Sequence, residues 1–245
     1  KRDDPLMQSV DDGFDEGYMV HVSPEGARLN INRLLKSNDK TLLFDLFTKW
    51  GMDDKDADQL IGALVDWVDG DELLVLNGAE KDYYSELGYF DRPYNRDFRE
   101  LDEMQLVRGF GQLQNLNGNW RESFTVWSEG LIDIHEASPD LIAVAAEVDD
   151  TAAEDFHQLV LGDDGVMGTE DDIRFSNLNE ALDSLLSPPG RREFIAPRFT
   201  LKGEVLRVES IGRSGNFRYS IQAVSRSKSA QGDLLDYQEK QLGSE

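Results

Sequence analysis

The spacing of apolar and polar positions predicts strands at both ends of the chain and helices between them. Near the N-terminus, Gly17–Val22 and Ala27–Asn32 flank the turn-rich Ser23-Pro24-Glu25-Gly26, a pattern that predicts a hairpin with Leu29 and Ile31 on one face. The period then lengthens. Leu42, Leu43, Leu46, Phe47 and Trp50 recur at helical spacing over Thr41–Trp50, and Leu60, Ile61, Leu64 and Trp67 repeat this over Asp56–Val68. Asp53 or Asp54 is placed to cap the second helix. Asp69–Asn95 is irregular and aromatic, with Tyr83, Tyr84, Tyr89, Phe90 and Tyr94. A short helix is expected around Glu100–Val107, then a strand pair, Phe124–Trp127 and Leu131–Ile134. Ser138-Pro139 reads as an N-cap with proline at the first helical position, opening a helix through Val148. Alternation over Arg198–Ser210 and Asn216–Ser225, around Gly212-Arg-Ser-Gly215, predicts a closing hairpin, and the chain after Ser227 reads as a polar tail.

These elements imply an α+β fold. Residues 1–35 and 196–228 would form one sheet, interrupted by a mainly helical insertion over 36–195 with a returning strand pair. Residues 229–245 would form the tail.

Composition narrows what such a fold can bind. The 245 residues are 39% hydrophobic and 9% aromatic, as a folded chain requires, and carry 25 Lys+Arg against 49 Asp+Glu. The net charge of −24 argues against duplex DNA and anionic lipid, both of which select clustered Lys and Arg. With no cysteine, disulfides, thiol nucleophiles and cysteine-containing zinc sites are absent. Apolar runs such as Leu141–Ala146 and Leu73–Leu76 fall far short of the ~18–20 residues a spanning helix needs. Lys1–Pro5 shows no signal peptide, and the sequence starts without Met, consistent with removal of a leader or an anchor. Charge is uneven along the chain. Glu122–Ile173 has no Lys or Arg, whereas Arg191–Lys228 has nine basic residues against three acids, as for a sheet with an ordinary exposed face or one facing an acidic neighbour, in preference to a dedicated anion-binding surface.

Catalytic motifs find little support. His21, His135 and His157 are scattered and read as surface or structural residues, and His135-Glu136 lacks the second His of a zinc-protease helix. Gly212-Arg-Ser-Gly215 is not a nucleophile elbow, and Gly109-Phe-Gly111 lacks a third glycine and a phosphate-binding lysine. A helix-hairpin-helix reading of Trp50–Val68 and Leu131–Val148 fails because the hairpin glycines and flanking Lys/Arg are missing and acids stand in their place. A hydrolase using paired carboxylates stays open, because that pair is defined in space.

Calcium, a hard cation taking 6–8 oxygens, suits the acidic segments better. Asp66, Asp69, Asp71, Glu80 and Asp82 form a candidate site in an irregular loop after a helix, where acids oppose the helix dipole unless a cation is bound. It is not an EF-hand, since Leu73 and Leu74 occupy ligand and glycine positions. The glycine-rich Gly162–Ile173 offers a weaker candidate in Asp163, Asp164, Asp171 and Asp172.

The succession Leu64-Val-Asp66-Trp67-Val-Asp69-Gly-Asp71, Gly78-Ala-Glu80-Lys-Asp82-Tyr83-Tyr84 and Arg92-Pro93-Tyr94-Asn95-Arg96-Asp97-Phe98, continued by Glu100–Gly109, resembles the K-type minor pseudopilins of type II secretion systems. Glu25–Asn32, Gly130–Pro139 and Phe199–Ser227 are similar to further segments of that family. Asp97 departs from it, standing where the family has proline. The resemblance implies a type IV pilin-like sheet carrying a large inserted helical domain, with calcium bound in the insertion. It also implies an N-terminal anchor helix, truncated here, and a periplasmic position on the inner membrane of a Gram-negative bacterium. The protein would sit at the pseudopilus tip with I-type and J-type minor pseudopilins, in contact with secreted substrate, and would not be an enzyme. The competing classes are an acidic secreted hydrolase and a calcium-dependent adhesion or scaffold module.

Overall fold

A computed structural model describes residues 16–37, 40–226 and 232–242. Residues 1–15 of the anticipated N-terminal sheet segment, and the tail positions 229–231 and 243–245, lie outside them. Strands at the two ends of the described chain meet in one four-stranded antiparallel sheet. β1 (Glu16–Pro24) pairs with β6 (Val205–Ser214), β6 with β7 (Phe217–Arg226), and β7 with β8 (Asp233–Leu242), giving the order β1-β6-β7-β8. The closing hairpin is present, but its turn is Gly215-Asn216, with Ser214 opposite Phe217. Gly215 takes φ +56°, where a side chain would be strained.

Three sequence expectations are corrected. The N-terminal hairpin does not form: Glu25–Ala27 is a 3-10 turn, β2 (Leu29–Asn30) runs parallel to β3 (Phe124–Thr125), and Ile31 opens helix α1 (Ile31–Lys36). Asn30 is the reason, because its side chain accepts from the Arg33 N–H and caps a helix where alternation suggested a strand. The expected strand pair also separates. β3 joins β2, while β4 (Ile132–Asp133) runs parallel to β5 (Phe199–Thr200). Finally, Asp233–Leu242 of the anticipated polar tail is the edge strand β8, whose polar residues suit a strand with one open edge.

Between the sheet segments lie α2 (Thr41–Lys49), α3 (Asp54–Val68), α4 (Lys81–Glu86), α5 (Phe110–Leu116), α6 (Pro139–Ala146), α7 (Asp150–Leu161), α8 (Leu178–Ser184) and α9 (Arg192–Ile195). The Glu100–Val107 helix is present as a 3-10 segment, Leu101–Leu106. Asp53 is the N-cap of α3 without a side-chain capping bond, and Ser138 caps α6 through the Leu141 N–H with Pro139 in the first turn. These helices share one core, in which Phe47, Trp67, Phe110, Trp120 and Phe124 are fully buried. Each large apolar side chain so removed from water contributes about 1.5–3 kcal/mol.

The sheet is fastened to this helical region by a buried carboxylate. Glu25, fully buried, accepts from the Thr125 hydroxyl and from Arg207 Nε of β6. Arg226 of β7 adds an ion pair to Glu129 at 3.2 Å. Further basic residues of the C-terminal third meet acids of the middle, with Arg191 and Arg198 on Glu147 and Arg192 on Asp183. The basic stretch therefore does face an acidic neighbour, as its charge asymmetry suggested. Among the described residues no helix is long and apolar enough to cross a membrane.

Candidate functional site

Helix α3 builds the candidate site from its last turn. Its apolar stripe turns Trp67 into the core, where the indole meets Tyr84, Tyr94 and Phe98 at centroid distances of 5.5, 5.0 and 6.3 Å. The neighbouring Asp66 is thereby carried under the surface and is fully buried. The chain then leaves the helix, loops over α3 and returns at Glu80, the N-cap of α4. Gly62 permits this return: a Cβ there would lie 2.8 Å from the Leu76 carbonyl oxygen. Gly78 permits it again, since its Cβ would stand 2.1 Å from Asp66 Oδ2. Arg108 pins the far side, donating to the Gly78 carbonyl at 3.0 Å.

Three acids converge here with unmet bonding capacity. Asp66 Oδ1 accepts from the Val75 N–H at 3.0 Å, but Asp66 Oδ2, Asp69 Oδ1 and both Glu80 carboxylate oxygens are buried without a hydrogen-bond partner. Burial pushes all three carboxyls above the ordinary range, and mutual repulsion reinforces it. Glu80 is raised to about 7, first by burial and then by the charges of Asp66 and Asp69. Asp71 is exposed and braces the loop through the Leu73 N–H. Asp82 faces solvent in the first turn of α4. Asn95, not anticipated from the sequence, joins the group. Its Nδ2 donates to the Asp71 carbonyl at 3.2 Å and its Oδ1 is a buried acceptor without a partner. The amide is neutral and 24 residues beyond Asp71, so no charge or spacing pattern marked it. Among the described residues no group of three or more Asp, Glu or His side chains is placed to hold a metal ion as it stands.

The second acidic loop is different, because its carboxylates already have donors. Asp171 Oδ2 accepts from the Asp163 and Asp164 N–H groups at 2.7 and 3.0 Å, and Oδ1 from the Thr169 hydroxyl. The Thr169 hydroxyl bond, followed by that from the Asp164 N–H, holds Asp171 below its ordinary pKa. Asp172 accepts from Gly168 N–H and Arg174. Asp163 and Asp164 stay exposed.

Of the histidines, His21 is exposed, while His135 and His157 each keep an Nδ1 buried without a hydrogen-bond partner. His135 is buried, its Nε2 accepts from the Phe175 N–H at 2.9 Å, and its Nδ1 faces Asp133 Oδ1 at 3.4 Å. The last distance and approach fall short of a regular hydrogen bond.

A second surface emerges only from the strand register. Directly paired residues share a sheet face, and alternate residues on a strand share it too. One face therefore carries Tyr18, Val22, Leu206, Tyr219, Ile221 and Tyr237, all exposed. The opposite face carries Arg207, Glu209 and Gln222, which turn toward the helical region across a cavity of about 1000 Å³. The helix-facing side is mixed, carrying buried Val205 and Val224 beside these polar residues, while the other side exposes apolar residues to solvent. Alternation over Phe217–Ala223 held the signal for this face, but the direction it points depended on how the sheet docks.

Residues 27–115 match the model of the type II secretion system protein K family. No curated protein sequence matches the chain. Among solved structures, the chain is similar to one in the GspK-GspI-GspJ complex of the enterotoxigenic Escherichia coli type 2 secretion system. The TM-score is 0.73 at 12% identity, covering 92% of this chain and 80% of that one. The fold is shared, and the resemblance carried by Asp66–Gly109 lies inside the matched family segment.

Proposed function

We infer that this chain is a K-type minor pseudopilin of a type II secretion system, acting as a structural part of the apparatus that moves proteins across the outer membrane. The observation that carries this reading is the open apolar face of β1, β6, β7 and β8, which the helical region leaves uncovered. A soluble domain rarely leaves so many apolar side chains on one sheet face without a partner. The anchor helix that the family resemblance implies would lie on this face and give the sheet its missing layer. I-type and J-type minor pseudopilins would pack around that helix and the sheet edges on the periplasmic side. To test this, Tyr219→Asp with Ile221→Asp is introduced into the full-length protein. Secretion and co-purification with the sibling pseudopilins are expected to be lost, while the isolated soluble region keeps its melting temperature. Normal secretion by that variant would refute the reading.

Calcium in the α3–α4 loop belongs to the same proposal. Buried carboxylates without partners are costly, and a hard divalent cation supplies the missing counter-charge. Asp66, Asp69 and Glu80 would hold it, with Asn95 Oδ1 and Asp71 as further oxygen donors. The bound ion would tie the loop to the end of α3. The loop at Asp163, Asp164, Asp171 and Asp172 has less need of an ion, because protein donors already serve Asp171 and Asp172. The role proposed is structural, without catalysis. The acid raised to about 7, Glu80, does not line the large cavity, so a cleft-based hydrolase finds no support in the geometry.

A further inference from the structure

The loop between α3 and α4 holds three leucines out in solvent, with Leu73, Leu74 and Leu76 respectively 75%, 66% and 84% exposed. A single exposed leucine is ordinary, but three within four residues form a patch that calls for a cause. The backbone supplies it. With Gly62 beneath Leu76 and Gly78 against Asp66, the main chain itself occupies the contact surface of α3. Hydrogen bonds from Val75 N–H to Asp66 and from Leu73 N–H to Asp71, at 3.0 and 2.8 Å, hold it there. Asn95 ties the carbonyl of Asp71 from the other side at 3.2 Å. The space that would admit the leucines is filled by their own backbone, so the side chains stay outward.

Charge selects what can cover them. No Lys or Arg occurs from Asp56 to Glu80, and the exposed acids beside the leucines are Asp71 and Glu72 before them and Asp82 after them, with one exposed cation, Lys81. An anionic membrane is repelled by this rim. A second copy would bring the same acidic loop and the same net charge of −24. We propose that Leu73, Leu74 and Leu76 form a docking knob for a partner protein whose apolar recess is rimmed by Lys and Arg. The acids steer the approach and fix orientation, and the leucines supply the affinity. The knob goes beyond the sheet-mediated assembly above, and of its exposed rim acids only Asp71 is also offered as a calcium ligand, so the titrations are run in chelator.

The test uses two synthetic amphipathic peptides of equal leucine content, one with lysine and one with glutamate at its polar positions. Each is titrated against the soluble chain by fluorescence anisotropy at low and high salt. The leucine–lysine peptide is expected to bind and the leucine–glutamate peptide not to. The variant Leu73→Ser/Leu74→Ser/Leu76→Ser keeps every charge and every backbone contact. It should fold with an unchanged melting temperature and bind the first peptide at least ~10-fold more weakly. Equal binding by this variant would overturn the proposal, since the acids alone would then account for the affinity. No binding of the leucine–lysine peptide would overturn it as well. Leucine-dependent self-association in sedimentation velocity, or leucine-dependent binding to phosphatidylglycerol vesicles, would reassign the knob to a second copy or a lipid surface and also overturn it.

Discussion

Substituting Glu80 by Gln should stabilise the protein without calcium and destabilise it with calcium. Glu80 is 7% exposed, its carboxylate oxygens lack partners, and its pKa rises from 4.5 to about 7. Ionising this side chain in the folded state therefore costs about 3 kcal/mol more than in the unfolded chain. Between pH 4.5 and about 7 the folded protein keeps a proton on Glu80 that the unfolded chain has released. The folded state binds more protons, so stability falls as pH rises through this window and levels off above about 7. Asp66 and Asp69 shift in the same direction and add to the fall. The amide cannot ionise, so Glu80→Gln removes the Glu80 share of that loss. Against a cost of ~1 kcal/mol for amide atoms left unpaired, a net gain of about 2 kcal/mol is expected in chelator near pH 8. With calcium at a hundred times its dissociation constant, the parent gains about 2.7 kcal/mol by mass action. The variant, lacking a ligand, should gain much less, and the order of the two proteins reverses. Urea unfolding followed by circular dichroism, from about pH 5 to 8 in chelator and in calcium, reads every arm. A variant less stable than the parent in chelator at pH 8 would refute the reasoning, as would a parent whose stability does not change with pH.

Other perturbations probe separate parts of the argument. Glu25→Ala leaves Arg207 without its buried partner and should cost about 3–5 kcal/mol in chemical denaturation. Trp67→Ala empties the centre of the aromatic cluster behind the acids and should cost a similar 3–5 kcal/mol. Gly78→Ala drives a methyl group to 2.1 Å from Asp66 Oδ2, so the loop must lift. A loss of about 1–3 kcal/mol and a weaker calcium-induced rise in melting temperature are expected. Asp171→Asn, in the internally bonded second loop, should leave that calcium-induced rise unchanged.

How much was legible in the sequence varies from element to element, for physical reasons. Helices α2 and α3 were readable because their apolar stripes are local and periodic, and α6 because Ser138-Pro139 is a local start signal. Leu29 and Asn30 were readable only as β, since their partner Phe124–Thr125 is remote and the pairing is parallel. The edge strand Asp233–Leu242 was missed because strand pairing can select a polar segment that shows no apolar alternation. The acidic loop was found through its composition. Asn95 was not, because a neutral amide becomes a candidate ligand only when the fold brings it to Asp71.

By itself, the sequence determined the α+β class, the helical insertion between two sheet segments, the cluster of acids after α3 and the family resemblance. All of these rest on local periodicity, charge and residue order. Only the tertiary structure decided which carboxylates lack partners, which sheet face is left open and that Leu73, Leu74 and Leu76 stay in solvent. Each of those depends on what a remote segment places against the residue. Asp66 and Asp171 show this most directly. Asp66, at the end of α3, packs against Gly78, and Asp171, in its loop, against Gly162, yet burial raises one, while a Thr169 hydroxyl and backbone N–H groups lower the other.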